Sequence, residues 1–296
     1  MNKFLFIALT LGMFLAVSYG LSFFVESDFS DKIALIPIKG AITSTGDGIP
    51  LQPTGASSIK ILEVLKDAEE DSSIKALILE IDSPGGTVLA SKEIADKIKK
   101  IEKPVVAWIR GSGASGAYWI ASAADHIIAD EMSIVGSIGV TSSYLEFSGL
   151  LKEYDVTYTR LVTGEFKDIG TPYKELTDKE RELFMGKLNK IHNFFVEEVA
   201  VNRNLSVAGV NKLATGEVFL GQEAIELNLI DELGGKEEAV NASKRLAGIS
   251  EAELVKFADA EEFLSFLFDS KIAYQIGQGI GSVLVNSNLK QAEIRA

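Results

Sequence analysis

Runs of β-branched and aliphatic residues alternate with runs of helical spacing from residue 33 to 129, and this alternation constrains the chain more than any other feature. Ile33 to Ile38 reads as a strand, and Ser57 to Glu70 as a helix with Ile59, Leu62 and Leu65 on its apolar face. Ala76 to Ile81 is a second strand, Thr87 to Ile101 a helix, Val105 to Ile109 a strand, Ser115 to Ala124 a short helix and Ile127 to Ala129 a strand. Strands that alternate with helices predict an α/β fold, a mostly parallel sheet with crossover helices on its faces. A longer helix is expected to open at Thr177, where Thr177 and Glu180 have capping-box spacing before Leu183, Phe184, Leu188, Ile191 and Phe195. Near the end, Phe263, Phe266 and Leu267 suggest a core-facing helix, and residues 271–296 a C-terminal tail.

Ahead of this alternation, no residue from Phe4 to Val25 is charged. As a helix with a rise of about 1.5 Å per residue the segment reaches about 33 Å, enough for a hydrocarbon core of about 30 Å. Lys3 precedes it, and Glu26, Asp28 and Asp31 follow, so the N-terminus is expected to stay cytoplasmic while the remainder is exported. The alternative is a signal peptide cleaved after Ala16-Val17-Ser18. Residues 1–25 are thus read as a membrane anchor or signal and 26–31 as an acidic linker, and either way the domain beyond is expected outside the cytoplasm. A net charge of -13 repels phosphate backbones and argues against a nucleic-acid partner. The absence of cysteine excludes disulfides, thiolate metal sites and a cysteine nucleophile.

Three glycine-rich junctions follow strands: Asp82-Ser83-Pro84-Gly85-Gly86, Gly111-Ser112-Gly113-Ala114-Ser115-Gly116 and Gly136-Ser137-Ile138-Gly139. In a parallel sheet such junctions gather along the carboxyl edge, where sites form. The second matches G-x-G-x-x-G with Asp130 downstream, as in a dinucleotide-binding turn. The competing reading makes Ser115 a nucleophile at a helix start, with one N–H of the Pro84-Gly85-Gly86 turn and that of Gly116 as oxyanion donors. An ordinary N-cap is a third role open to Ser115. His126 opens a buried strand and His192 lies in mid-helix, both reading as structural. Ala117 stands where a G-x-S-x-G elbow has its second glycine, which argues against a Ser-His-Asp hydrolase. No H-E-x-x-H spacing is present, and no metal or cofactor is expected. A lysine serves as base where burial disfavours its ammonium form.

Asp82 to Gly86, Gly113 to Tyr118, Gly136 to Val140 and Gly164-Glu165-Phe166-Lys167-Asp168, followed by Pro172 and Glu180-Arg181-Glu182, together resemble the short form of the signal peptide peptidase A family. Ala224 to Gly235 is similar to a later family block, with Glu217 and Asn228 where members carry Arg and Gly. The resemblance implies a Clp/crotonase-like fold of repeated β-β-α/βα units behind one N-terminal transmembrane helix, with residues 32–270 forming a Ser-Lys peptidase domain. It implies Ser115 as nucleophile, Lys167 as general base, Gly86 and Gly116 as oxyanion donors and Ser137 as the hydroxyl that orients Lys167. Its implied substrates are cleaved signal peptides and other apolar or unfolded peptides near the bilayer, and its implied assembly is a homo-oligomeric ring. Two other classes stay open on the residues alone: a crotonase-like acyl-CoA enzyme and a catalytically silent exported scaffold.

Overall fold

The computed structural model of the protein describes residues 31–49 and 52–257. The expected anchor over 4–25, the apolar helix around Phe263 and the C-terminal tail lie outside the described residues. No helix among the described residues is long and apolar enough to cross a membrane.

The chain opens with β1 (Lys32–Lys39), β2 (Ile42–Thr43), β3 (Asp47–Ile49), β4 (Gln52–Thr54) and β5 (Ala56–Ser57), where β2 pairs with β5 and β3 with β4. There follow α1 (Ser58–Glu70), β6 (Ile74–Ser83), α2 (Val88–Ile98), β7 (Val105–Ala114), α3 (Gly116–Ser122), β8 (His126–Ala129) and β9 (Ile134–Gly136). The remainder is α4 (Ser148–Glu153), α5 (Asp178–Asn202), α6 (Val207–Leu213), β10 (Val218–Leu220), α7 (Gly221–Ala224), β11 (Glu232–Leu233), α8 (Lys236–Ala247) and β12 (Glu253–Lys256). The main sheet has the order β10-β9-β7-β6-β1-β12, and β8 pairs with both β7 and β11. Its pairings are parallel except β9 with β10.

β1 and β6 are nearly continuous apolar runs because both sheet faces are covered. One face places Ile36, Ile38, Leu77, Leu79 and Ile81 beneath α1, α2, α3 and the end of α5. The other places Ile33, Leu35, Ala76, Ile78 and Trp108 beneath α8, through Ala239 and Ala242. On α1, Ile61, Leu65 and Ala68 recur at helical spacing and are buried, while Ser57 caps the first turn by accepting from Lys60 N at 3.3 Å.

β7 differs from expectation. The apolar pattern ends at Ile109, yet the strand continues through Gly111 and Gly113 to Ala114. Its first half pairs with β8, and Ser112 to Ala114 pair with β9 instead. Against β6 the register slips, with Ile81 opposite Ile109 but Ser83 opposite Gly113. A Cβ on Gly113 would lie 2.8 Å from Ile109 Cδ1, so the irregular stretch needs glycine. Gly111 and Gly113 are thus strand residues that let β7 change neighbours, and the dinucleotide-turn reading of this motif is corrected: the phosphate-cradling loop it requires is a strand here.

α5 begins as its sequence indicates. Thr177 Oγ1 accepts from Glu180 N at 3.3 Å, and Glu180 Oε2 accepts from Thr177 N at 3.0 Å. Of the expected stripe, however, Phe195 is buried with Val196, Val199 and Ala200, whereas Phe184, Leu188 and Ile191 are half-buried and Leu183 is exposed. The first half of α5 carries apolar residues that the other described residues leave partly uncovered.

Candidate active site

Ser115 stands at the turn from β7 into α3, with φ 54 and ψ -124. A side chain rarely adopts this region, and holding one there costs about 1–3 kcal/mol. The surroundings enforce it. Ser115 N donates to Gly136 O at 2.8 Å, and Ser115 O accepts from Trp119 N at 3.0 Å to start α3. Trp119 stacks on Phe195 at 4.7 Å between ring centroids, and Tyr118 Oη donates to Leu229 O at 2.8 Å. Full burial of Tyr118 pushes its phenol well above the ordinary range, so it stays a neutral donor. The result is a buried helix behind a half-buried Ser115, whose hydroxyl makes no hydrogen bond among the described residues.

The Gly85-Gly86 turn lies directly against this serine. Gly85, at φ 104, has its Cβ position 2.8 Å from Ser115 Cβ and 2.9 Å from Gly116 N, so a side chain there has no room. The turn pairs with β2: Ile42 N donates to Gly85 O at 2.9 Å, and Thr87 N donates to Ile42 O at 2.8 Å. In parallel pairing, the residue between two such bonds aims its own N–H away from the partner strand. Gly86 N–H therefore points away from β2 and finds no acceptor among the described residues. Gly116 N–H, at the first position of α3, likewise has none, as expected at a helix start. Gly86 N lies 3.3 Å from the Cβ position of Gly116, so the two free donors border the same small space beside Ser115. Such a pair can bind a developing oxyanion.

Lys167 lies in an exposed turn, its N–H donating to Gly164 O at 3.2 Å. Its neighbours are tied down. Arg160 holds Asp168 through Nε at 2.7 Å and Nη2 at 2.8 Å, and this hydrogen-bonded pairing keeps the Asp168 carboxyl below the usual carboxylate range. Lys179 of α5 bonds Glu165 at 2.7 Å and sits 5.1 Å from the Phe166 ring centre. Lys167 itself makes no side-chain hydrogen bond or ion pair among the described residues, to Ser115 and Ser137 included. Ser137, at φ 51, gives its hydroxyl to Gly216 O at 3.2 Å, and its N–H donates to Glu217 O at 2.8 Å. The exposed Glu217 side chain takes no part in that contact. His126 pairs with Glu232 at 3.0 Å and His192 with Ala214 O at 3.0 Å, both away from Ser115, as the sequence indicates.

One residue here had no signal in the sequence. Ser91, inside α2, is fully buried, and its hydroxyl has no partner among the described residues. Its Oγ lies 2.2 Å from the Cβ position of Gly116, a contact that no helical pattern announces.

Residues 97–250 match the model for Peptidase family S49, and residues 26–156 match that for ClpP-like SDH-type serine proteinases. A protein of Methanocaldococcus jannaschii named as a protease is 38% identical over 81% of this chain and 77% of its own. One from Enterococcus faecium named as the signal peptide peptidase SppA is 32% identical over 84% of this chain and 73% of its own. The fold is shared with a solved mutant of the 1510-N membrane-bound stomatin-specific protease, at a TM-score of 0.50 and 16% identity, covering 78% of this chain and 99% of that one. With a serine-centred site on a ClpP-like α/β scaffold, this chain belongs to peptidase family S49 and is a serine peptidase.

Proposed function

We propose that the protein is a membrane-anchored endopeptidase in which Ser115 is the nucleophile and Lys167 the general base. One observation carries this reading: a strained serine presents an unbonded hydroxyl beside two unbonded backbone N–H groups, those of Gly86 and Gly116. Neutral Lys167 takes the proton from Ser115 Oγ as the oxygen adds to the peptide carbonyl. Gly86 and Gly116 bind the resulting oxyanion, Lys167 returns the proton to the leaving amine, and water then releases the acyl group by the same steps. Ser137 orients the lysine by turning its hydroxyl from Gly216 to Lys167.

Lys167 is supplied by a neighbouring copy in a homo-oligomeric ring. Three features support this: its side chain has no partner among the described residues, Leu145 and Leu161 are 74% and 88% exposed, and the first half of α5 is left largely uncovered by the described residues. The anchor over 4–25 places the site outside the cytoplasm at the membrane surface. Its substrates are therefore apolar or unfolded peptides released there, remnant signal peptides among them.

A fluorophosphonate is expected to label the wild type and not Ser115→Ala. Mixing inactive Ser115→Ala with inactive Lys167→Ala is expected to restore cleavage, at roughly a quarter of interfaces for random assortment in a cyclic ring. Labelling of Ser115→Ala would end the nucleophile assignment. Mixed oligomers without activity would confine the dyad to one chain.

A further inference from the structure

We infer that Ser91 is a positioning residue of the oxyanion pocket, setting the spacing of the Gly86 and Gly116 donors and adding an uncommitted hydroxyl dipole behind them. The inference rests on the reading of Ser115, Gly86 and Gly116 as nucleophile and donors. Helix α2 begins two residues after Gly86, with Thr87 as its N-cap, so the loop bearing one donor is joined directly to the turn that carries Ser91; Ser91 N donates to Thr87 O at 3.1 Å there. From that turn Ser91 reaches across to α3. Its Oγ lies 2.2 Å and its Cβ 3.0 Å from the point where Gly116 would carry a Cβ, and Gly86 N is 3.3 Å from the same point. Ser91, Gly86 and Gly116 therefore meet around one spot, with the serine on the buried side of it. This contact fixes how close α2, and with it Gly86, comes to the start of α3. It also explains why position 116 is glycine, since any side chain would strike Ser91.

The hydroxyl itself is the unusual part. Ser91 is 0% exposed and its Oγ has no hydrogen-bond partner among the described residues. A buried, unpaired hydroxyl costs stability, and an alanine would pack in this helix without that cost. A role in the fold alone gives no reason for the oxygen. Beside two N–H donors it has one: an unpaired O–H is free to turn its proton toward negative charge developing in front of Gly86 and Gly116. Because the atom is sealed from water, its dipole acts through a medium that screens weakly. Neither effect requires Ser91 to touch the substrate.

The test compares the full-length wild type with Ser91→Ala and Ser91→Cys. Ser91→Ala is expected to melt at the same or a higher temperature, with kcat at least tenfold lower and KM within twofold. Affinity for a peptide boronate, which places a tetrahedral oxyanion at Ser115, is expected to fall by the same factor as kcat/KM. Ser91→Cys, which keeps the spacer with a weaker dipole, is expected to lie between. A Ser91→Ala enzyme with wild-type kcat and boronate affinity overturns the inference. So does a joint fall of melting temperature, kcat and KM in both variants, which marks a residue needed only for folding. Should Ser91→Ala fail to fold, Ser91→Cys decides alone: wild-type boronate affinity refutes the positioning role. Fluorophosphonate labelling of the wild type is the control, and its absence at Ser115 removes the underlying site reading as well.

Discussion

Replacing Ser115 with glycine is expected to stabilise the protein while destroying its activity. At φ 54 and ψ -124 the serine backbone occupies a region that glycine enters freely. The strain removed is about 1–3 kcal/mol. Glycine loses more chain freedom on folding and returns about 0.5–1 kcal/mol of that. The hydroxyl makes no hydrogen bond among the described residues, so its removal sacrifices little else. The net gain is about 1 kcal/mol, which for a domain of this size raises Tm by about 2–4 °C. Ser115→Ala keeps the Cβ and with it the strain, so its Tm is expected within about 1 °C of wild type by the same relation. Thermal unfolding of all three proteins is measured at one protein concentration, because assembly makes Tm concentration-dependent. Both variants are expected to be dead toward peptide and fluorophosphonate. If Ser115→Gly melts at or below Ser115→Ala, the turn is not strained and the reasoning fails.

Lys167→Arg is expected to be as inactive as Lys167→Ala, because arginine keeps its proton at neutral pH; turnover within tenfold of wild type in a folded Lys167→Arg protein removes lysine as the base. Gly86→Ala places a Cβ 1.9 Å from Ile42 O, so the turn must leave β2 and the donor must swing away; loss of kcat together with a lower melting temperature is expected, and unaltered turnover contradicts the donor assignment. Asp168 has a lowered pKa, so its tie to Arg160 holds the Lys167 turn above the usual carboxylate value of 3.8 and loosens as pH falls through the folded-state value. Proteolytic nicking near Lys167 is thus expected at acid pH in the wild type and already at neutral pH in Arg160→Met; equal resistance of the two at neutral pH contradicts the tie. His126→Gln is expected to leave the pH dependence of cleavage in place, since His126 is paired with Glu232 away from Ser115; a lost ionisation in that variant points to histidine as the base.

What the sequence by itself determined were the local features. The Thr177–Glu180 capping box lies three residues apart and forms wherever that segment is helical. The apolar runs of β1 and β6 specify strands covered on both faces, and the order of the motifs singled out Ser115 as a candidate nucleophile. Only the tertiary structure decided the rest, because each remaining feature joins segments that the chain keeps apart. β7 outlasts its apolar run because β9 offers a second partner for Ser112 to Ala114, a pairing no local propensity encodes. Gly86 becomes a free donor because β2 engages the residues on either side of it. Ser91 reads as an ordinary helix serine until α3 is packed against it. Lys167 has the residue type of a base, yet its position depends on a turn pinned to α5 by Lys179 and on what lies against its exposed side. Local sequence sets which backbone conformations are cheap; pairing and packing across distant segments select which N–H groups, hydroxyls and charges are left unpartnered.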